Sequence, residues 1–175
     1  MTREPQLKLL ISHDEIAKAV KRLAREIQKD YQTKKPVLIG ILKGSFVFLA
    51  DLIRQLDLPL EVDFVQLSSY GSAKDSSGKV RVIKALKTPI RGRDVLVVED
   101  IVDTGITTSF LLDYLRNKRP ASLKLCTLAD KPARHKVPVS VDYLGFTVPN
   151  KFIVGYGLDL DQKFRNLPDI YTIED

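Results

Sequence analysis

Apolar residues recur along this chain in two periods. Ile16, Val20, Leu23, Ala24 and Ile27 fall at helical spacing behind Ser12-His13-Asp14-Glu15, which has the S-x-x-E form of a capping box; a helix over residues 13–29 is predicted. Pro36 opens the run Val37-Leu38-Ile39-Gly40-Ile41-Leu42, apolar on both faces as a strand inside a parallel sheet must be. Residues 46–53 read as a second helix, its apolar surface reaching to about 56, and Leu60, Val62 and Phe64 alternate as a strand. Residues 70–79 are small, polar and glycine-containing, which predicts a mobile loop before a strand at 80–84. A turn at Arg91-Gly92-Arg93, a buried strand at 95–98, a helix over 107–118 and a strand at 123–128 follow. Strands alternating with helices predict an α/β fold with a mostly parallel, doubly wound sheet. Beyond Pro132 the chain carries Pro138, Pro149 and Pro168 and no helical period, so a small accessory lobe is expected there.

Composition changes this picture little. The 175 residues, 44% apolar and 29% charged, suit one compact domain. Cys126 is the only cysteine, which excludes an internal disulfide and suits a reducing cytoplasm. No apolar segment follows Met1 to Pro5 and none approaches a membrane span, so a cytoplasmic protein with no membrane contact is expected. The net charge of +6 points to anionic partners, either nucleic acid or small phosphorylated molecules. The basic residues are scattered through 18–25, 84–93, 116–124 and 131–136, a distribution that a solvated surface also explains.

Ligands of an open parallel sheet bind beyond the carboxyl ends of its strands. Lys43-Gly44-Ser45, the stretch from Glu99-Asp100 to Thr108, and Asp130-Lys131 all fall at such ends. In the longest of these a hydrophobic strand ends in two carboxylates, then a loop of small and hydroxylated residues, then a helix. Loop N–H groups and the positive helix end form a site for a phosphate dianion, with Thr104, Thr107 and Thr108 as added hydroxyl donors. Carboxylates beside a phosphate would repel it unless they bind a ribose diol or a divalent cation.

Val97-Val98-Glu99-Asp100-Ile101-Val102-Asp103-Thr104-Gly105 resembles the phosphoribosyl-pyrophosphate motif of type I phosphoribosyltransferases. Leu42-Lys43-Gly44-Ser45 resembles the pyrophosphate loop of that family, and Ser68-Ser69-Tyr70-Gly71 the start of its catalytic loop. Ala129-Asp130-Lys131-Pro132 resembles its 6-oxopurine-reading segment. Phe152 to Asp159, with Phe164-Arg165-Asn166, resembles the hood of its hypoxanthine-guanine branch. The resemblance covers nearly the whole chain. It implies the type I fold, a mostly parallel twisted sheet flanked by helices, with a hood formed mainly by about 132–175 plus N-terminal residues.

The reaction it implies is transfer of the phosphoribosyl group from phosphoribosyl pyrophosphate to N9 of hypoxanthine or guanine, giving IMP or GMP and pyrophosphate with Mg2+. By the same resemblance Thr104, Gly105, Ile106, Thr107 and Thr108 hold the ribose phosphate, and Glu99 and Asp100 contact the ribose hydroxyls directly or through magnesium. Asp103 faces purine N7 and acts as general base or stabilises the proton there. Lys43, Gly44 and Arg165 hold pyrophosphate, and Asp159 binds a second magnesium. Lys131 donates to O6, Phe152 stacks on the base, and the backbone at Ile153 reads its edge. Ser69 and Tyr70 belong to a loop that closes against water. The Leu42–Lys43 peptide is cis in some members, and a homodimer or homotetramer is usual. On the residues alone, an exposed lysine before a proline turn is the favoured reading of Lys131, and Phe152 reads equally as core.

Gly71 to Lys79 lacks P-loop glycine spacing, and Val80 follows the lysine where Ser or Thr is required. His13 and His135 stand alone and read as surface residues, Cys126 as core packing. The rival from another class is a nucleotide-sensing regulator that binds RNA or DNA. No nucleic acid is expected, because no helix-turn-helix accompanies the apparently complete catalytic set. A nearer rival is an enzyme of the same type that acts on xanthine.

Overall fold

In the computed structural model, which describes residues 5–70 and 79–174, strand β1 (Gln6–Ile11) leads into helix α1 (His13–Tyr31). Ser12 caps α1 as expected: its side chain accepts from the Glu15 N–H, and Glu15 Oε2 accepts from the Ser12 N–H at 2.8 Å. Then come β2 (Val37–Leu42), α2 (Phe46–Ile53), β3 (Glu61–Tyr70), β4 (Lys79–Lys84), β5 (Asp94–Val102), α3 (Ile106–Arg116) and β6 (Ser122–Asp130). A 3-10 turn (Pro132–Arg134) precedes β7 (Tyr143–Thr147), β8 (Ile153–Val154) and β9 (Ile170–Glu174).

Six strands form one sheet in the order β4-β3-β2-β5-β6-β7, parallel except for the β3–β4 pair. Side-chain alternation divides the core between its two faces. Leu38, Leu96, Val98, Cys126 and Leu128 pack with α1 and α2, whereas Val37, Ile39, Ile41, Val95 and Val97 pack with Leu111, Leu112 and Leu115 of α3. The doubly wound expectation is met, and Cys126 is core as read.

A second sheet, β1-β9-β8, is antiparallel and joins the N-terminal strand to the last residues, the place expected for the hood. One part of that expectation is corrected. Residues 143–147 lie inside the span assigned to the hood, yet β7 pairs parallel with β6 and extends the main sheet. β5 also runs on through Glu99 and Asp100 to Val102, because Ile101 and Val102 still pair with Ala129 and Asp130. The expected loop over 71–78 lies outside the described residues. Ser69 and Tyr70 close β3, pairing with Val80 and Lys79.

Candidate active site

β2, β5 and β6 run parallel, so their carboxyl ends bring Lys43-Gly44, Glu99 to Thr108 and Asp130-Lys131 to one edge of the sheet. On one side of that edge the Leu42–Lys43 peptide is cis, and Gly44 packs directly on Asp100: a Cβ at 44 would stand 1.8 Å from Asp100 Oδ2. Lys43 Nζ donates to Gln162 Oε1 at 3.2 Å, and Arg165 donates to the same oxygen at 3.1 Å and to Gly157 O at 2.7 Å. Arg165 also pairs with Asp159 at 3.0 Å, and Asp159 accepts from the Gln162 N–H at 2.8 Å. The pyrophosphate-side residues Lys43, Gly44, Asp159 and Arg165 thus form one cluster with Asp100. Gln162, which bridges two of its cations, carried no signal in the sequence.

The two carboxylates on β5 are short of compensation. Burial pushes Glu99 up to about 8, reinforced by the charge of Asp100 and opposed by a hydrogen bond from Thr108. Enclosure of its carboxylate pushes Asp100 up to about 6, opposed by the Ile101 and Asp100 N–H groups and by Arg165, and reinforced by Asp159. Such groups invite a cation or a hydrogen-bonding diol. Among the described residues no three His, Cys, Asp or Glu side chains gather closely enough to hold a metal by themselves.

At the centre, Gly105 takes φ 80° and starts α3, and a Cβ there would meet Val137 O at 2.9 Å. The loop Asp103 to Gly105 therefore presents the first N–H groups of α3, as the phosphate reading requires. Thr104 Oγ1 already accepts from the Ile106 N–H at 3.4 Å. Thr108 departs from its expected place. It is buried, and its hydroxyl donates inward to Glu99 Oε2 at 2.8 Å, because one helical turn carries it under the loop. Thr107 remains partly exposed.

On the far side, Lys131 is not the exposed lysine that the residues alone allow: it is 6% exposed. Burial lowers its pKa, while Asp103 opposes that and Arg134 adds to it. Asp103 pairs with Arg134, Nε to Oδ1 at 2.8 Å. His135, read as an isolated surface residue, instead meets Asp130 Oδ1 at 2.7 Å. Neither partnership was visible in the sequence, since both rest on the 3-10 turn folding back on β6. Phe152 is 53% exposed at the start of the hood strand β8, which rules out the core reading, and Ile153 behind it is buried.

A strand–loop–helix phosphate cradle flanked by paired carboxylates on a doubly wound sheet defines a phosphoribosyltransferase site. The chain matches the family model for the phosphoribosyl transferase domain over residues 8–161, and it belongs to that family. Within it, the chain is 48% identical to the hypoxanthine-guanine phosphoribosyltransferase of Bacillus subtilis, across 95% of this chain and 93% of the relative. It is also 48% identical to the hypoxanthine-guanine phosphoribosyltransferase of Aquifex aeolicus, across 99% of this chain and 98% of the relative. The crystal structure of a Bacillus anthracis hypoxanthine-guanine phosphoribosyltransferase superposes with a TM-score of 0.92 at 45% identity, covering 98% of this chain and 100% of that one. The chain also matches the bifunctional TilS/HprT protein of Listeria monocytogenes at 48% identity, where it spans only 25% of the longer protein.

Proposed function

We propose that this protein transfers the phosphoribosyl group of phosphoribosyl pyrophosphate to N9 of hypoxanthine or guanine, forming IMP or GMP and pyrophosphate. The observation that carries this reading is Lys131: buried, at the end of β6, beside Asp103 at the end of β5. A desolvated ammonium favours a base with an oxygen acceptor at position 6 over one with an amino group there.

The positions of these residues support the following roles. The first turn of α3 and the loop from Thr104 to Thr107 bind the ribose phosphate. Glu99 and Asp100 meet the ribose diol, with Thr108 steadying Glu99. Lys43 and Arg165 take the pyrophosphate. The C1–O bond to pyrophosphate breaks while the N9–C1 bond forms, and Asp103 accepts or stabilises the proton on the imidazole ring. Phe152 offers a face for the base, with the Ile153 backbone at its edge. Ser69 and Tyr70 lead into the segment expected to exclude water.

The donor set fits magnesium of the kind that keeps substrate oxygens in its shell, which needs one or two protein carboxylates and no full cage. Glu99 and Asp100 would hold one ion on the ribose side and Asp159 another on the pyrophosphate side. Bound there, magnesium offsets the charge of the leaving group. A homodimer or homotetramer is the assembly that membership of the family suggests, and the buried free thiol of Cys126 suits the cytoplasm.

Pyrophosphate release from phosphoribosyl pyrophosphate, with hypoxanthine, guanine, xanthine, adenine and uracil offered separately, tests the reading. Release with hypoxanthine or guanine that requires magnesium is expected. Release with xanthine or uracil alone would overturn the substrate, and no release with any base would turn attention to nucleotide sensing and nucleic-acid binding.

A further inference from the structure

Asp103 and Lys131 bear opposite charges on segments stitched side by side, the Lys131 N–H donating to Val102 O at 2.9 Å. Opposite charges on adjoining segments attract, and the charge of Asp103 acts on the Lys131 ammonium. Asp103 nonetheless pairs with Arg134 at 2.8 Å, and among the described residues the Lys131 ammonium makes no hydrogen bond or ion pair. Arg134 is held where it can do this. Its N–H donates to Lys131 O at 2.9 Å, the His135 N–H to Pro132 O at 3.2 Å, and the Lys136 N–H to Thr104 O at 2.9 Å. The His135 ring on Asp130 at 2.7 Å closes the turn from behind. The turn that carries Lys131 and Arg134 is thereby fastened to the loop that carries Asp103, and the Arg134 guanidinium reaches the Asp103 carboxylate from it.

We propose that Arg134 is a positioning residue that occupies Asp103 and so leaves Lys131 free to meet O6 of the purine. An Asp103–Lys131 pair would disable the general base and the base-reading ammonium together, since each would have to be pulled from the other before a purine could enter. Arg134 engages one oxygen of Asp103 and leaves the second for the ring proton. The role rests on the reading of the site as a 6-oxopurine transferase.

Steady-state kinetics of Arg134→Ala, with hypoxanthine and phosphoribosyl pyrophosphate varied in turn, tests it. The KM for hypoxanthine should rise about tenfold and kcat should fall, while the KM for phosphoribosyl pyrophosphate stays within about twofold. Arg134→Lys should recover part of the loss, keeping the charge without the planar fork. In an Asp103→Asn background, where no carboxylate remains to capture Lys131, Arg134→Ala should leave the hypoxanthine KM unchanged. An equal rise in that background would mean that Arg134 touches substrate itself, and would overturn the role. An unaltered Arg134→Ala enzyme would remove Arg134 alone. A wild-type protein inactive with every 6-oxopurine would remove the reading of the site and this role with it.

Discussion

Gly44 and Asp100 touch with no room for a side chain between them, a Cβ at 44 falling 1.8 Å from Asp100 Oδ2. The contact joins the pyrophosphate loop after β2 to the carboxylate pair on β5. Gly44→Ala must displace one of the two, so the KM for phosphoribosyl pyrophosphate should rise on the order of tenfold or more, since small misplacements in a site are costly. Initial-rate kinetics at saturating hypoxanthine check this; an unchanged KM would show that the loop yields without penalty.

The motif from Val97 to Thr108 was legible because a phosphate cradle needs its strand, glycine and helix start consecutively in the chain. The capping box of α1 and the apolar run of β2 were legible for the same reason. The lobe was legible as a proline-rich stretch without helical period, but its strands were not: β1, β8 and β9 have little period of their own and exist by pairing across the length of the chain. β7 was misplaced because an edge strand of five residues among prolines carries no sign of which sheet it joins. The partners of the site residues, Arg134 on Asp103, Thr108 on Glu99 and Gln162 under Lys43 and Arg165, depend on local turns that spacing does not encode.

Asp103→Asn should lower kcat by roughly two to four orders of magnitude, the range of a positioned acid–base group, and leave phosphoribosyl pyrophosphate binding intact. Single-turnover rates alongside calorimetric binding separate the two effects. Unchanged turnover would remove Asp103 from the chemistry.

Lys131 loses its charge at lower pH than an ordinary lysine, because burial disfavours the ammonium more than Asp103 restores it. Weakening of base binding should therefore begin below the ordinary lysine range as pH rises. The purine also titrates, so the informative quantity is the ratio of hypoxanthine KM between Lys131→Ala and wild type. That ratio should be large near neutral pH and shrink toward alkaline pH. A ratio near one at neutral pH would contradict the assignment to O6.

Asp63, 8% exposed on β3, accepts from the N–H groups of Phe64 at 2.7 Å and of Lys87 and Thr88 at 2.8 Å each. Burial alone would raise its pKa, but these backbone donors outweigh it and hold the carboxyl below its ordinary value. A depressed carboxyl stabilises the fold above its unfolded pKa, and the contribution fades as pH falls through the folded value. Asp63→Ala removes the acceptor of three part-buried N–H groups, which water can reach in its place, and should cost about 1 kcal/mol in denaturant unfolding at neutral pH. The difference from wild type should narrow in strong acid.

The central claim is that the site joins phosphoribose to a 6-oxopurine. Its most direct test is mass-spectrometric identification of the nucleotides formed from an equimolar mixture of hypoxanthine, guanine, xanthine and adenine with phosphoribosyl pyrophosphate and magnesium. IMP and GMP should dominate the products of the wild-type protein and fall away in Lys131→Ala. A product dominated by AMP, or no nucleotide at all, would contradict the account.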